Sequence, residues 1–225
     1  MYKIEGDSVK KVVVKVDINY HGAPFYYGTK PLIPRSTIEV SFKGSNTSKV
    51  TNMESMFNKC SGLTSLDLSN FDTSKVTSMG YMFIYCSGLT SLDLRNFNTS
   101  NVTYMNSMFS NCSGLTSLDL RNFNTSNVTN MNSMFSDCSK LTSLELSGWD
   151  TSKVTAMGDM FSNCSSLTSL DLSGWDTSNL TTIGFMFRGC TKLKTIKMVG
   201  CEKHTIDKIK AQLKADGLSE NIVKQ

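Results

Sequence analysis

A 26-residue phrase is written six times without a gap in this 225-residue chain, starting at Gly44, Asn70, Asn96, Asn122, Gly148 and Gly174. The second copy, residues 70–95, reads NFDTSKVTSMGYMFIYCSGLTSLDLR. A unit of this length cannot bury its own apolar face and must stack on its neighbours, which makes a solenoid or propeller the class of answer. Six cysteines keep the phase, at Cys60, Cys86, Cys112, Cys138, Cys164 and Cys190. Equivalent positions in adjacent turns lie about 4.8 Å apart, marginally close enough for a bridge, but side chains pointing in parallel do not give a disulfide dihedral. Reduced, buried thiols acting as small hydrophobes are therefore expected. Cys201 breaks the phase.

Two signals alternate inside each copy. LTSLDL at 89–94 sets Leu92 and Leu94 on one side and Ser91, Asp93 and Arg95 on the other, the alternation of a strand. VTSMGYMFIYC at 76–86 spaces Val76, Met79, Met82, Phe83 and Cys86 by three and four, a helical face, with Asp72 or Ser74 able to cap its start. The intervening Thr, Ser, Gly and Asn are poor helix formers, so a short helix or 3-10 turn preceded by a bridge of strand is predicted. The fold class expected is an α/β repeat solenoid of leucine-rich-repeat type, with a parallel sheet on one side and these helices or turns on the other. Eleven of the thirteen methionines occupy two repeat positions, such as Met105 and Met108. At that spacing they read as core packing, the competing reading being a partner groove.

The ends differ from the middle. Residues 1–43 read as a β-rich N-terminal cap, a β-hairpin over the first face of the solenoid, because 10–20 and 37–43 alternate β-branched with charged or polar residues. The Pro/Gly loop between them carries Phe25, Tyr26 and Tyr27, more apolar than a cap requires, and an assembly partner held through this cap is the rival reading. Residues 44–199 are the six repeats. Residues 200–225 form a helical C-terminal cap, with Ile206, Ile209 and Leu213 on one face, Thr205 as N-cap, and Leu218, Ile222 and Val223 packed against it.

Composition narrows the function. A net charge of +4 with scattered Lys and Arg leaves no nucleic-acid footprint, and no apolar run is long enough for membrane insertion. No leader is legible in 1–11, so either a native leader precedes the sequence or the protein leaves its cell without one. No phosphate-binding loop, dinucleotide fingerprint or nucleophile setting appears, and no catalytic residue, metal ligand or cofactor is assigned. Cys201 and His204 form a lone C-x-x-H without a second half. The outward strand position runs Asp67, Asp93, Asp119, Glu145, Asp171 and Lys197. Such a row could attract calcium, the competing reading being a hydrated acidic strip relieved by Arg95 and Arg121.

The L-x-x-L-x-L spacing of Leu63, Leu66 and Leu68 resembles a leucine-rich repeat, with Asn70 one place earlier than usual. More specifically, LDLSNFDTSKVTSMGYMF followed by C-S-x-L resembles the BspA-like leucine-rich-repeat family of bacterial surface proteins, a subgroup once catalogued as a domain of unknown function. The tail KTIKMVGCEKHTIDKIKAQLKADGL is similar to the terminal cap of members from gut Bacteroidetes and their phages. The resemblance spans 44–200 and implies a surface-exposed adhesive or recognition solenoid without catalysis. It implies no shared binding residue.

Candidate contact residues come from positions that vary while the frame stays fixed. Tyr81, Ile84 and Tyr85 of the second copy and Tyr104 of the third stand where other copies carry mostly Ser, Asn, Gly or Asp, the competing reading being repeat drift. Arg95 and Arg121 belong to the same two copies on the other face. The expected function is non-enzymatic surface recognition or adhesion, with a host or bacterial surface protein or glycan as partner and an extracellular or cell-surface location. The alternative is a structural or host-recognition component of a gut bacteriophage virion.

Overall fold

The computed structural model describes residues 11–13, 26–27, 30–31, 39–42 and 46–225. Each repeat forms one coil of a solenoid, and successive coils lie in register 26 residues apart. On one wall short parallel strands pair. β1 (Lys11–Val13), β4 (Glu39–Ser41) and β5 (Ser65–Asp67) form one sheet, and β2 (Tyr26–Tyr27) pairs antiparallel with β3 (Lys30–Pro31). β6 (Ser143–Glu145), β7 (Ser169–Asp171), β8 (Thr195–Lys197) and β9 (Val223–Lys224) form a second parallel sheet, with Leu144 opposite Leu170 and Leu170 opposite Ile196. The two outer strands of the expected hairpin, β1 and β4, pair in parallel instead, because β4 already lies parallel to β5 in the strand wall, and the rest of the cap expected over 1–43, including Phe25 and most of its loop, lies outside the described residues.

The opposite wall is built of turns. Neither the short helix nor the 3-10 turn expected there forms; successive turns with a left-handed residue take their place, and the reason lies in where the amide groups go. Met56 N–H donates to Met53 O and Cys60 N–H to Phe57 O, each closing a turn of four residues. The alternate amides leave the coil: Met53, Ser55, Phe57 and Lys59 donate to the carbonyls of Ser78, Gly80, Met82 and Ile84 in the next one. An α-helix would keep these bonds within the segment and leave nothing to tie coils together. The turns require a left-handed residue at their third position, as a type II turn does, and Ser55 and Lys59 have φ of 59° and 64°. Asp72, expected as a helix cap, accepts the Ser74 N–H in a local turn. A row of isolated parallel bridges runs along this wall, joining Asn52, Ser78, Tyr104, Asn130, Ala156 and Thr182 in succession.

The predicted apolar face is buried as expected, although no helix carries it: Val76, Met79, Met82, Phe83 and Cys86 are all inaccessible. Phe57, Phe83, Phe109, Phe135, Phe161 and Phe187 stack face to face with ring centroids 5.4–6.0 Å apart. The strand wall is less regular. Leu94 and Leu120 are buried, whereas Leu92 and Leu118 are half-buried, and no ladder pairs 91–93 or 117–119 with a neighbour.

The cysteines are reduced, and each thiol after the first reaches back one coil. Sγ of Cys86, Cys112, Cys138, Cys164 and Cys190 lies 3.0–3.2 Å from the carbonyl oxygen of Phe57, Phe83, Phe109, Phe135 and Phe161 respectively. A small hydrophobe with a weak donor suits a site that must be apolar on one side and satisfy a carbonyl on the other. Burial pushes the thiols of Cys60, Cys138 and Cys190 up to about 12.

A second carbonyl is closed by either of two side chains. Asn96 Nδ2 donates to Leu68 O at 2.9 Å and Asn122 Nδ2 to Leu94 O at 2.9 Å. In the next two copies Asn-Phe becomes Gly-Trp, and the indole takes over: Trp149 Nε1 donates to Leu120 O at 3.5 Å and Trp175 Nε1 to Leu146 O at 3.1 Å. Phenylalanine has no donor, so its neighbour supplies one. Tryptophan has its own, so glycine suffices. The ring is placed alike in both pairs, since Phe71–Phe97 and Phe123–Trp149 stack at the same centroid distance of 6.4 Å.

At the C-terminal end α1 (Lys203–Ala215) lies over the last coil with Ile206, Ile209 and Leu213 buried. Glu202, not Thr205, precedes the helix, because the Thr205 hydroxyl is engaged with Thr177, accepting its N–H at 3.0 Å. Leu218, Ile222 and Val223 pack against the core.

Two outcomes check this account. In chemical denaturation, Asn96→Gly is expected to cost about 1 kcal/mol by removing the side-chain donor shared by Leu68 O, which keeps the Phe71 N–H, and Phe71 O, and adding Phe97→Trp should recover part of it by restoring the bond to Leu68 O. Alkylation of the native protein should modify Cys201 alone, the one cysteine with appreciable exposure, and denaturant should release the other six.

Candidate functional site

The turn wall presents the variable aromatics. Tyr81, Tyr85 and Tyr104 are 37%, 44% and 50% exposed, whereas Ile84 is half-buried between the two tyrosines of its own coil. Tyr104 sits in the row of bridges beside Ser78, three residues from Tyr81, and Tyr81 N–H donates to Asn106 O of the coil that holds Tyr104. The tyrosines thus come from two adjacent coils of one wall. Both Tyr81 and Tyr85 occupy the left-handed turn positions, with φ of 60° and 62°. A bulky residue is disfavoured there relative to Gly, Asn or Asp, so these aromatics stand at a conformational cost.

Arg95 and Arg121 are placed on the strand wall, and the structure does not bring them into the tyrosine cluster. Each is closed on its own repeat. Arg95 Nε and Nη2 donate to Asp93 Oδ1 and Oδ2 at 2.9 and 2.7 Å, and Arg121 holds Asp119 in the same fork at 2.9 and 2.8 Å. The hydrogen bonds from Arg95 hold the Asp93 carboxyl down to about 2, and those from Arg121 do the same for Asp119. Each carboxylate occupies the Nε and Nη2 edge of its guanidinium and offsets its charge locally. Further along the row, beyond Glu145, Asp171 pairs with Lys197 at 3.2 Å.

Among the described residues no three His, Cys, Asp or Glu side chains converge as a metal site. Cys201 and His204 diverge: Cys201 Sγ lies 3.2 Å from Leu172 O, and His204 Nε2 lies 3.3 Å from Asp176 Oδ1. No helix among the described residues is long and apolar enough to cross a membrane.

One exposed aromatic escaped the sequence reading. Phe185, 56% exposed with φ of 60°, holds the same repeat position as Tyr81, and Arg188 lies over its ring at 5.5 Å. The comparison of copies that singled out Tyr81 reaches it as well.

A family model described as Mycoplasma protein of unknown function, DUF285, matches residues 34–119 and 113–211. No curated protein matches the chain. Among solved structures, it is similar to a leucine-rich cell surface protein of Faecalibacterium prausnitzii at 17% identity, covering 77% of this chain and 76% of that one with a TM-score of 0.27. It is also similar to a leucine-rich-repeat protein of Bacteroides ovatus at 16% identity, covering 88% of this chain and 69% of that one with a TM-score of 0.28.

The exposed ion pairs give a pH prediction. Asp93 has a folded pKa lowered from its ordinary 3.8, so its contribution to stability is present above that value and is lost as pH falls through about 2. Arg95→Ser, which copies the residue of the first and fourth repeats, should move the Asp93 carboxyl titration seen by NMR back towards 3.8. The thermal midpoint should stay in place, since both side chains are solvated.

Proposed function

The chain belongs to the DUF285 family, and from that premise we propose that it is a non-enzymatic recognition or adhesion module, exposed at a cell surface or outside the cell, that binds a surface protein or glycan. The observation that carries this reading is the cluster of Tyr81, Tyr85 and Tyr104 on the turn wall. Aromatic rings with a polar edge suit both the apolar face of a sugar and a protein hot spot. Two of the three stand at left-handed positions that other copies fill with Ser, Lys, Asn, Asp, Phe or Gly, so packing does not explain them. The absence of catalysis is supported by the repeat itself. Each coil offers the same polar set, and among the described residues no acid, base and nucleophile are set apart from it in one place.

The test borrows residues from neighbouring coils. Tyr81→Ser and Tyr85→Asn reproduce Ser107 and Asn111 of the third copy, so the doubly substituted chain should keep its thermal midpoint. Wild-type protein screened against a glycan array and a panel of surface proteins should show saturable binding that this variant loses by about tenfold or more. Binding that survives in the folded variant removes the tyrosine wall from the contact. A folded wild-type chain that binds nothing in either screen removes the recognition reading.

A further inference from the structure

The row of parallel bridges ends at Thr182 with one side unfilled. In the fifth coil, Thr155 O accepts the Thr181 N–H at 2.9 Å, Met157 N–H donates to Thr182 O at 2.8 Å, and Asp159 N–H donates to Gly184 O at 2.9 Å. The same groups of the sixth coil are Thr181 O, Ile183 N–H and Phe185 N–H. None has a hydrogen-bond partner among the described residues. The side chains agree with the backbone. Val154 and Met157 are inaccessible, whereas their counterparts Leu180 and Ile183 are partly exposed.

Apart from the Gly189 N–H, the groups on either side of this stretch are covered. Lys208 Nζ donates to Thr177 O at 2.8 Å and Leu180 O at 3.3 Å, Asp216 Oδ2 accepts the Phe187 N–H at 2.9 Å, and β9 pairs with β8 on the strand wall. The cap therefore closes both flanks of 181–185 and leaves that stretch open. Open edges in proteins are commonly blunted by charge, proline or a covering element, and here the residue at the edge is an exposed phenylalanine.

We propose that the 181–185 edge is a docking site for an extended acidic peptide segment of a partner protein, which adds to the turn wall as a seventh parallel strand. The five bridges already made in this protein define the backbone geometry of the occupant. It must donate one N–H to Thr181 O and offer carbonyls two residues apart to Ile183 and Phe185, with an apolar side chain against Leu180 and Ile183. Charge defines the rest. Residues 180–225 carry nine Lys and Arg against four Asp and Glu, more than the whole net charge of the chain. Two such basic ends repel each other, which disfavours a second copy on this edge and favours carboxylates.

The probe is a short acetylated and amidated peptide of alternating valine and glutamate, with a valine–lysine peptide of equal length as control, each titrated into the full chain. The glutamate peptide should bind saturably, and the lysine peptide should bind about tenfold more weakly or worse. Ile183→Pro removes a donor that the protein itself does not use, at the cost of part of the packing of Ile183 on the core, and at a temperature where the variant is folded its affinity should drop about tenfold or more. Phe185→Gly suits its left-handed backbone and serves as the second variant, with a smaller loss. Bound peptide should also slow hydrogen exchange at the Ile183 and Phe185 amides of the wild-type chain, a readout that needs no variant. The proposal is overturned if wild-type protein binds neither peptide, if the lysine peptide binds equally well, or if both variants bind as wild type does. It is likewise overturned if sedimentation shows a dimer that Ile183→Pro dissolves, for then a second copy fills the edge.

Discussion

Each coil completes its backbone hydrogen bonding on the coil beside it, and the rest of the structure follows from that dependence. The Thr47 hydroxyl accepts the Asp72 N–H and donates to Asp72 O, and the arrangement recurs at Thr73 and Thr99. Thiols, amides and indoles reach across the same interval. A polar group buried between coils without such a partner carries a desolvation penalty, so the fixed Thr, Cys and Asn or Trp positions of the 26-residue phrase have a hydrogen-bonding reason beside the packing of the Val, Met, Phe and Leu positions. This explains why a core residue is cysteine and not alanine, and why Asn-Phe exchanges for Gly-Trp as a pair.

The same dependence makes the ends the difficult places. A coil with no successor has donors and acceptors facing outward, and the C-terminal cap replaces the missing seventh coil piecemeal. Thr205 meets the Thr177 hydroxyl where the backbone of a following coil would, Lys208 and Asp216 also stand in for backbone groups, and β9 continues the strand wall. The replacement covers the strand wall and most of the turn wall. Where it stops, at 181–185, the array keeps the capacity for one more strand.

The two walls differ in what they tolerate. On the turn wall the left-handed positions face solvent and accept Ser, Tyr, Asp and Phe, so variation there is free to serve contact. On the strand wall the charged residues are drawn into local pairs, as Arg95 is by Asp93. Candidate contact residues that look alike along the chain therefore fall on two walls, the tyrosines on the turns and the arginines, each paired with a carboxylate, on the strand side.

The sequence by itself determined the number of coils, their register and the inward residues, because a strict period leaves only one way to stack Val76, Met79, Phe83 and Cys86 on their copies. It also carried Tyr81, Tyr85 and Tyr104, since these break a pattern visible along the chain. It did not determine that the second wall is made of turns. Spacings of three and four are shared by an amphipathic helix and by successive turns with left-handed third residues, and only the neighbouring coil, as acceptor of the alternate amides, decides between them. Nor did it show which carbonyl each side chain closes, that Leu118 is half-buried where Leu120 is not, or that the cap stops short of Ile183. Those depend on distances between coils, which exist only once the array is stacked.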